Sequence, residues 1–483
     1  MARHNALLNW LAAIVVIGAL TANCAYSQTI PNLPAATTPL TGSELMPLWQ
    51  SGSTKNATVS SVRGPGGLTN TYDITSPTYG CSKSTSTSSS DQSSCIQSAI
   101  NAASTAGGGV VWVPSGFWNL KSQIVLKKNV IIQCVSNGYL LDASTESYSN
   151  ATTGAVFSVL WGSGTGNSNN ATYAAIKMQQ DSAVKDCGFW YPNQSNTATT
   201  PTEYGSTLLV YDTNANVHQT ATGNWCANCY NFLDWRGGIS GIGMAGAYIS
   251  DNTGSPINYG IAINFMVDWG TIQNNHFNSG AINQGDTTGT YLRGWIQNNG
   301  IAFYVGHSDW VLLDHDEAWG YKVGAYADFN TSCCSTYTAS GPVILQNSQF
   351  DAMSLSDIYT SGTIMNLRIL GGTGTSFNNY TLAQGIFLAG SSTTNIASLQ
   401  LDGVYTFATM QNVINMTASG TIIGNVSITN VHSTGASSSQ YAYQFNGGTS
   451  IYIAGSTYTG YSGGLLYTSG SWTNAPVLSG NFQ

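Results

Sequence analysis

Apolar residues recur along this chain in two rhythms. From position 96 they fall at Ile96, Ala99, Ile100 and Ala103, the spacing that gives a helix one apolar face. Asp91, just upstream, suits a helix N-terminus, where its carboxylate accepts from free backbone N–H groups. Gly107-Gly108-Gly109 ends the helix. Val111 and Val113 then alternate with Trp112, a strand rhythm, and Pro114-Ser115-Gly116 turns the chain before a second strand predicted from Gln123 to Cys134.

Further on, the strand rhythm becomes a repeat. Ile272-Gln-Asn-Asn-His-Phe277, Ile296-Gln-Asn-Asn-Gly-Ile301, Leu313-Asp-His-Asp-Glu-Ala318 and Leu345-Gln-Asn-Ser-Gln-Phe350 share one plan. Each has an apolar residue, then Asn or Asp near a turn, then in most cases another apolar residue. Leu401-Asp-Gly-Val404 and Ile428-Thr-Asn-Val431 are shorter echoes. The starts at 272 and 296 predict one coil between them, and irregular spacing elsewhere predicts loops of different length. Parallel strands stacked about 4.8 Å apart would bury the apolar positions, while Asn side chains at the bends bond backbone groups and one another. One coil buries little, so such a stack is stable only as a series, and a helix at its head would cover the open end.

The run IQSAINAASTAGGGVVWVPSGFWNL, from Ile96 to Leu120, resembles the start of the pectate-lyase-like superfamily: capping helix, GGG, Val-rich strand, P-x-G, first coils. The resemblance extends through repeat texture over roughly 70 to 470. It implies an all-β fold, a right-handed parallel β-helix (solenoid) with a short N-terminal capping helix, and a general habit of acting on polysaccharides. LPAATTPLTGSELMPLWQSGSTKNATVSSV, within residues 28–70, resembles short N-terminal modules of phage tail fibres and tailspikes, relatives that are often homotrimers.

Three segments are expected. Residues 1–27 have a basic start, an apolar run from Ala6 to Leu20 and small residues at Ala25 and Ser27, which reads as a secretory signal peptide. Residues 28–70 form a Pro/Thr/Ser-rich preamble or linker, and 71–483 the β-helix. Nine cysteines, one of them in the leader, leave an even number for an exported chain, which suggests disulfides. Cys81 with Cys95 is a plausible local pair. Cys226-Ala-Asn-Cys229 and Cys333-Cys334 fit disulfides better than zinc, because no second ligand pair lies at zinc spacing.

Charged residues make up only 7% of the chain, against about 25% in ordinary proteins. With 42% hydrophobic and 11% aromatic residues, this is not a disordered composition. A net charge of −8 argues against nucleic acid and, once the leader is removed, against an anionic membrane as partners. The expected partner is an extracellular polysaccharide.

Because charge is scarce, its clustering carries weight. GHSDWVLLDHDEAWGYK, 306–322, is the densest stretch. Aligned with Asp268 to Phe277, Leu313 matches Ile272, Asp316 matches Asn275, Glu317 matches His276 and Ala318 matches Phe277. Alternation then turns Asp314 and Glu317 outward and gives Asp316 an Asn-like place at the bend. Asp-Trp occurs at 234–235, 268–269 and 309–310, and matching registers would line these pairs up on one side of neighbouring coils.

Cleaving a glycosidic bond commonly takes two carboxylates, one giving a proton to the leaving oxygen and the other activating water or attacking the sugar. Asp309, Asp314, Glu317 and Asp268 are the candidates, with His276 and His315 tuning or relaying protons. Trp269, Trp310, Trp319 and Tyr321 are candidates to stack on sugar rings, and Arg293 and Lys322 to serve as groove cations. The plainer reading makes each Asp a turn cap and each Trp a packing residue.

Polygalacturonase-like hydrolases carry Asn-Thr-Asp, Asp-Asp, Gly-His-Gly and Arg-Ile-Lys. Here Gly306-His307-Ser308 and Arg368-Ile369-Leu370 are partial matches and the first two are missing. Trp310-Val-Leu-Leu-Asp314-His315 loosely echoes the Trp-Ile-Asp-His of calcium-type pectate lyases, without their arginine segment. No cofactor is required by this reading, and calcium is conceivable at outward Asp residues. The leading expectation is a secreted, carboxylate-dependent glycoside hydrolase. The alternatives are a lyase acting by β-elimination on a uronate polymer, and a non-enzymatic adhesin or tailspike-like glycan binder.

Overall fold

The computed structural model describes residues 70–480 apart from 139–145, 150–153, 166–172, 211–218, 237–245, 265, 267, 284, 330–339, 376–384 and 436–440. In the first 69 residues it describes 45–50 and 53–58, as backbone. The chain divides into two compact units, Met1–Thr69 and Asn70–Gln483. The first contains an antiparallel hairpin of Leu45–Gln50 and Ser53–Thr58. The leader assigned to 1–27 lies outside the described residues, as do Cys333 and Cys334.

The second unit is a right-handed parallel β-helix. Each full coil contributes a strand to three stacked parallel sheets. In one coil these are Gly270–Gln273 in sheet I, His276–Asn278 in sheet II and Ile301–Val305 in sheet III. In the next they are Val311–Asp314, Glu317–Trp319 and Val323–Phe329. Sheet II has 12 strands in one uninterrupted order, and Ser356–Leu370 runs continuously from sheet III into sheet I.

Helix α1, Ser93–Thr105, heads the stack. Ile96, Ala99, Ile100 and Ala103 are buried against the first strands, as the periodicity requires. Asp91 accepts from Ser93 N at 2.9 Å and also ties down Lys121 N at 3.1 Å. Gly108 and Gly109 follow at φ +133° and +153°, and a Cβ on either would strike a neighbouring backbone carbonyl at 2.6 Å and 2.5 Å. The segment expected as one strand from Gln123 to Cys134 is two, Ile124–Leu126 in sheet III and Val130–Cys134 in sheet I. Asn129, at φ +60°, makes the corner between them.

The repeat register is the one the aligned motifs demand. Ile249, Ile272, Leu313, Leu345, Ile369, Leu401, Ile428 and Ile453 pair in succession along sheet I and point inward. Phe232, Phe277, Phe303 and Phe350 fill the interior, with centroid distances of 6.2, 5.3 and 6.2 Å between successive rings. One motif is misread by sequence: Ile296–Ile301 is not a rung. It lies largely in helix α2, Leu292–Asn299, within an excursion between sheets II and III. Its Ile is buried by helical, not strand, geometry, and the 24-residue spacing does not mark a coil.

The bend from sheet I to sheet II has a fixed chemistry. Its first residue is left-handed in coil after coil: Asp186, Asp251, Asn274, His315, Asn347 and Asn430 all have φ between +50° and +57°. Short polar side chains tolerate this conformation best. The second residue is buried and forms a ladder. Asn252 Oδ1 accepts from Asn224 N and Nδ2 at 3.1 and 3.0 Å, and Asn275 Oδ1 accepts from Asn252 N and Nδ2 at 3.0 and 2.9 Å. Asp316 Oδ1 accepts from Asn275 N and Nδ2, both at 2.9 Å. Ser348 Oγ then accepts from Asp316 N at 3.3 Å.

Disulfides join Cys81 to Cys95, Cys134 to Cys187 and Cys226 to Cys229. Among the described residues no helix is long and apolar enough to cross a membrane.

Asp316 is the one acid in this run of the ladder, and burial pushes its carboxyl up to about 7. An unfolded aspartate titrates near 4. The stability its neutral form contributes is therefore full below pH 4 and lost as pH rises through 7. Asp316→Asn should flatten that pH dependence, match wild type near pH 4 and exceed it at pH 8 by on the order of 2 kcal/mol. Denaturant unfolding at both pH values measures this, and an equal or lower stability of the variant at pH 8 would refute it.

Candidate active site

The sequence-selected residues are distributed over three corners of the coil. Asp268-Trp269 and Asp309-Trp310 sit at the start of sheet I on adjacent rungs, since Met266 bridges Ser308 and Gly270 pairs with Val311. All four are exposed. The expected alignment of Asp-Trp pairs therefore holds for these two. Asp234-Trp235 is elsewhere, within the Asn231–Arg236 strand of sheet III, where Asp234 is buried and accepts from Ser206 Oγ at 3.2 Å.

Asp314 ends its sheet I strand and Glu317 begins the sheet II strand, so the two carboxylates flank the bend. His315 is the left-handed bend residue, and its Nδ1 lies 2.7 Å from Asp314 Oδ1. Five residues of extended chain, about 16 Å, separate Asp309 from Asp314. A single cleft holding Asp268, Asp309, Asp314 and Glu317 together does not form.

The outward face of sheet II gathers a different set. His276, Glu317 and Gln349 pair in register on successive strands, as do Asn278, Trp319 and Asp351. His276 Nε2 lies 3.7 Å from Glu317 Oε1, both side chains being about half exposed. Asp351 is directly across from Trp319 and diagonal to Glu317, about 8 Å between Cα atoms from strand spacing and rise. Burial raises the Asp351 carboxyl to about 7, and the Glu317 charge adds to it. Behind the corner, Asp357 is fully buried and held neutral, first by that burial and then by Asp351.

Two assigned roles change. Tyr321 is fully buried and its hydroxyl donates to Pro256 O at 2.9 Å, so it packs the core and presents no face to a sugar. Arg293, 5% exposed, is not an open groove cation: Nη1 donates to Asp286 O at 2.7 Å. Its guanidinium carbon stands 4.6 Å from the Trp319 ring centroid. Trp319 is half-buried, braced by Arg293 and by Gly280, where a Cβ would meet the ring at 2.8 Å. Lys322 is half-exposed at the corner leading into sheet III.

Helix α2 and the 3₁₀ turn Ser279–Ile282 pack on each other and, through Arg293 and Gly280, against Trp319, on the strand that Glu317 begins. Upstream, the same outward row is covered: Phe117, Trp190 and Trp225 are buried, and Tyr148 packs 5.2 Å from the rings of both Phe117 and Trp190. Among the described residues no three His, Cys, Asp or Glu side chains converge as a metal site. Sequence reasoning missed Asp351. The signal was present, because extending the Leu345–Phe350 repeat by one residue aligns Asp351 with Trp319 and turns it outward.

No family model matches the chain, and no curated protein is similar to it by sequence. Its structure is similar to solved ones. The tailspike protein of E. coli bacteriophage HK620 in complex with a pentasaccharide matches with a TM-score of 0.54 at 13% identity, over 92% of this chain and 83% of that one. A variant of that tailspike bound to a hexasaccharide matches with a TM-score of 0.53 at 12% identity, with the same coverage. The catalytic unit of the thermostable GH87 α-1,3-glucanase of Streptomyces thermodiastaticus strain HF3-3 matches with a TM-score of 0.51 at 13% identity, over 85% and 69%. With these the chain shares one architecture, the parallel β-helix.

Proposed function

We propose that the protein is a carbohydrate-active enzyme that hydrolyses a glycosidic bond on the outward face of sheet II. Asp351 donates the proton to the leaving oxygen, and Glu317 is the second carboxylate, activating water or attacking the sugar. The observation that carries this reading is the placement of the two acids together with the raised carboxyl of one. They sit on neighbouring rungs of one face, yet Asp351 is raised to about 7 by burial and by the Glu317 charge. A carboxyl raised in this way suits a proton donor at neutral pH, and a second carboxylate on the same face completes the pair that glycoside hydrolysis uses.

The remaining groups have supporting parts. His276 lies beside Glu317 and orients its carboxylate. Trp319, held flat by Arg293, gives the site a rigid apolar wall across from Asp351. The parallel β-helix is also the scaffold of a tailspike solved with bound oligosaccharide and of an α-1,3-glucanase, which favours a glycan as substrate. Three disulfides fit an oxidising, extracellular setting.

Glu317→Gln and Asp351→Asn should each lower kcat by roughly 10²–10⁴-fold, with thermal unfolding little changed. The measurement is release of reducing ends from a polysaccharide panel that includes α-1,3-glucan. Full activity in both variants, or products absorbing near 235 nm as elimination gives, would sink the assignment.

Wild-type kcat/KM should fall as pH rises through about 7, where Asp351 loses its proton. Carboxyl ¹³C NMR of Glu317→Gln should show Asp351 titrating lower than in wild type, because the neighbouring negative charge is gone. An unchanged Asp351 titration would show that the two carboxyls do not communicate.

A further inference from the structure

Asp268-Trp269 and Asp309-Trp310 take no part in the sheet II cleft, yet all four side chains are exposed at the start of sheet I. Trp269 is 42% exposed and Trp310 53%. Gly270 N donates to Trp310 O at 2.9 Å, which fixes the two residues on adjacent rungs, about 4.8 Å apart. Tyr248, 38% exposed, flanks them on the preceding rung, and Met365, 52% exposed, lies two rungs beyond Trp310. A carboxylate precedes each indole, and both carboxylates are exposed.

We propose that this edge of sheet I is a second, non-catalytic glycan-binding platform. The indole faces stack on the CH faces of pyranose rings, and Asp268 and Asp309 accept hydrogen bonds from sugar hydroxyls. The proposal rests on the reading of the chain as carbohydrate-active. Charge selects the occupant. A second copy of this chain seated here would desolvate two carboxylates, and a protein of net charge −8 with 13 Lys and Arg in 483 residues has few cations to pair them. Nucleic acid and anionic lipid are repelled by the same carboxylates. A neutral polyhydroxylated polymer brings both the donors and the apolar faces that the edge can use. Held on adjacent rungs, the two indoles engage neighbouring sugars of one chain, so their contributions multiply.

The test uses the full-length protein on an array of bacterial, plant and fungal polysaccharides that includes α-1,3-glucan. Trp269→Ala and Trp310→Ala should each weaken array binding about tenfold, and the double variant about a hundredfold. Trp269→Phe and Trp310→Phe should restore most of it. Array binding by the wild type that the double alanine variant retains overturns the proposal, as does a wild type that binds no glycan on the array. A double variant that keeps glycan binding but sediments as a smaller species would instead make the edge a contact between copies. Loss of turnover assignment with platform binding intact refutes the cleft reading alone.

Discussion

The central rungs depend on a hydrogen bond that recurs from one to the next. At these bends between sheets I and II the chain turns in two residues, one left-handed and one buried, which leaves a backbone N–H facing the interior without a strand partner. In the run from Asn224 to Asp316, the buried side chain of the next rung supplies the missing acceptor. An unmet buried donor costs about 1–3 kcal/mol, so the ladder removes a penalty that would otherwise repeat with every coil. It also sets register. A slip of one residue would turn Ile272 and Leu313 outward and Glu317 inward, and the ladder side chains would lose their partners at the same time.

With register fixed, burial decides what each of the few acids does. Asp316, Asp351 and Asp357 are all raised, and in each the first cause is desolvation. Their uses differ with their position. Asp316 accepts two bonds inside the ladder, where a neutral carboxyl is a fair substitute for asparagine. Asp357 is sealed in the corner between sheets II and III. Asp351 is half-buried, on the outward face, within the field of a second carboxylate. A raised carboxyl is common to all three, and of them only Asp351 is partly open at the surface.

Much of the coil was legible in the sequence because its physics is local. The spacing of Ile96, Ala99, Ile100 and Ala103 specifies the capping helix, and the match of Leu313-to-Ala318 with Ile272-to-Phe277 is the register found in the sheets. Asp316 was recognisable as a ladder residue for the same reason. What failed was geometry that depends on neighbours. Ile296-Gln-Asn-Asn-Gly-Ile301 has the composition of a rung, but Leu292, Arg293 and Ile296 are buried at helical spacing, and the segment coils as α2. Tyr321 looked like a stacking residue because composition does not distinguish a ring outside the solenoid from one whose hydroxyl reaches Pro256 inside it. Asp314 and Glu317 are three residues apart, yet a bend between them sends them to different faces, whereas Asp351, far along the chain, returns to Glu317 on the next rung.

That return also sets the two acids beside an irregular rung of this region. A uniform solenoid offers the same shallow face at every rung, with nothing to hold a sugar in one orientation. The excursion between Asn278 and Ile301 breaks the uniformity on the rung just before Glu317. It brings Arg293 over the Trp319 ring and Gly280 against it, which restrains the indole next to Glu317 along the strand. On the following rung burial raises the Asp351 carboxyl, while Glu317 is about half exposed. The excursion thus fixes the indole on the strand that Glu317 begins, and the regular coils on either side supply the rigid floor on which the two acids are held in register.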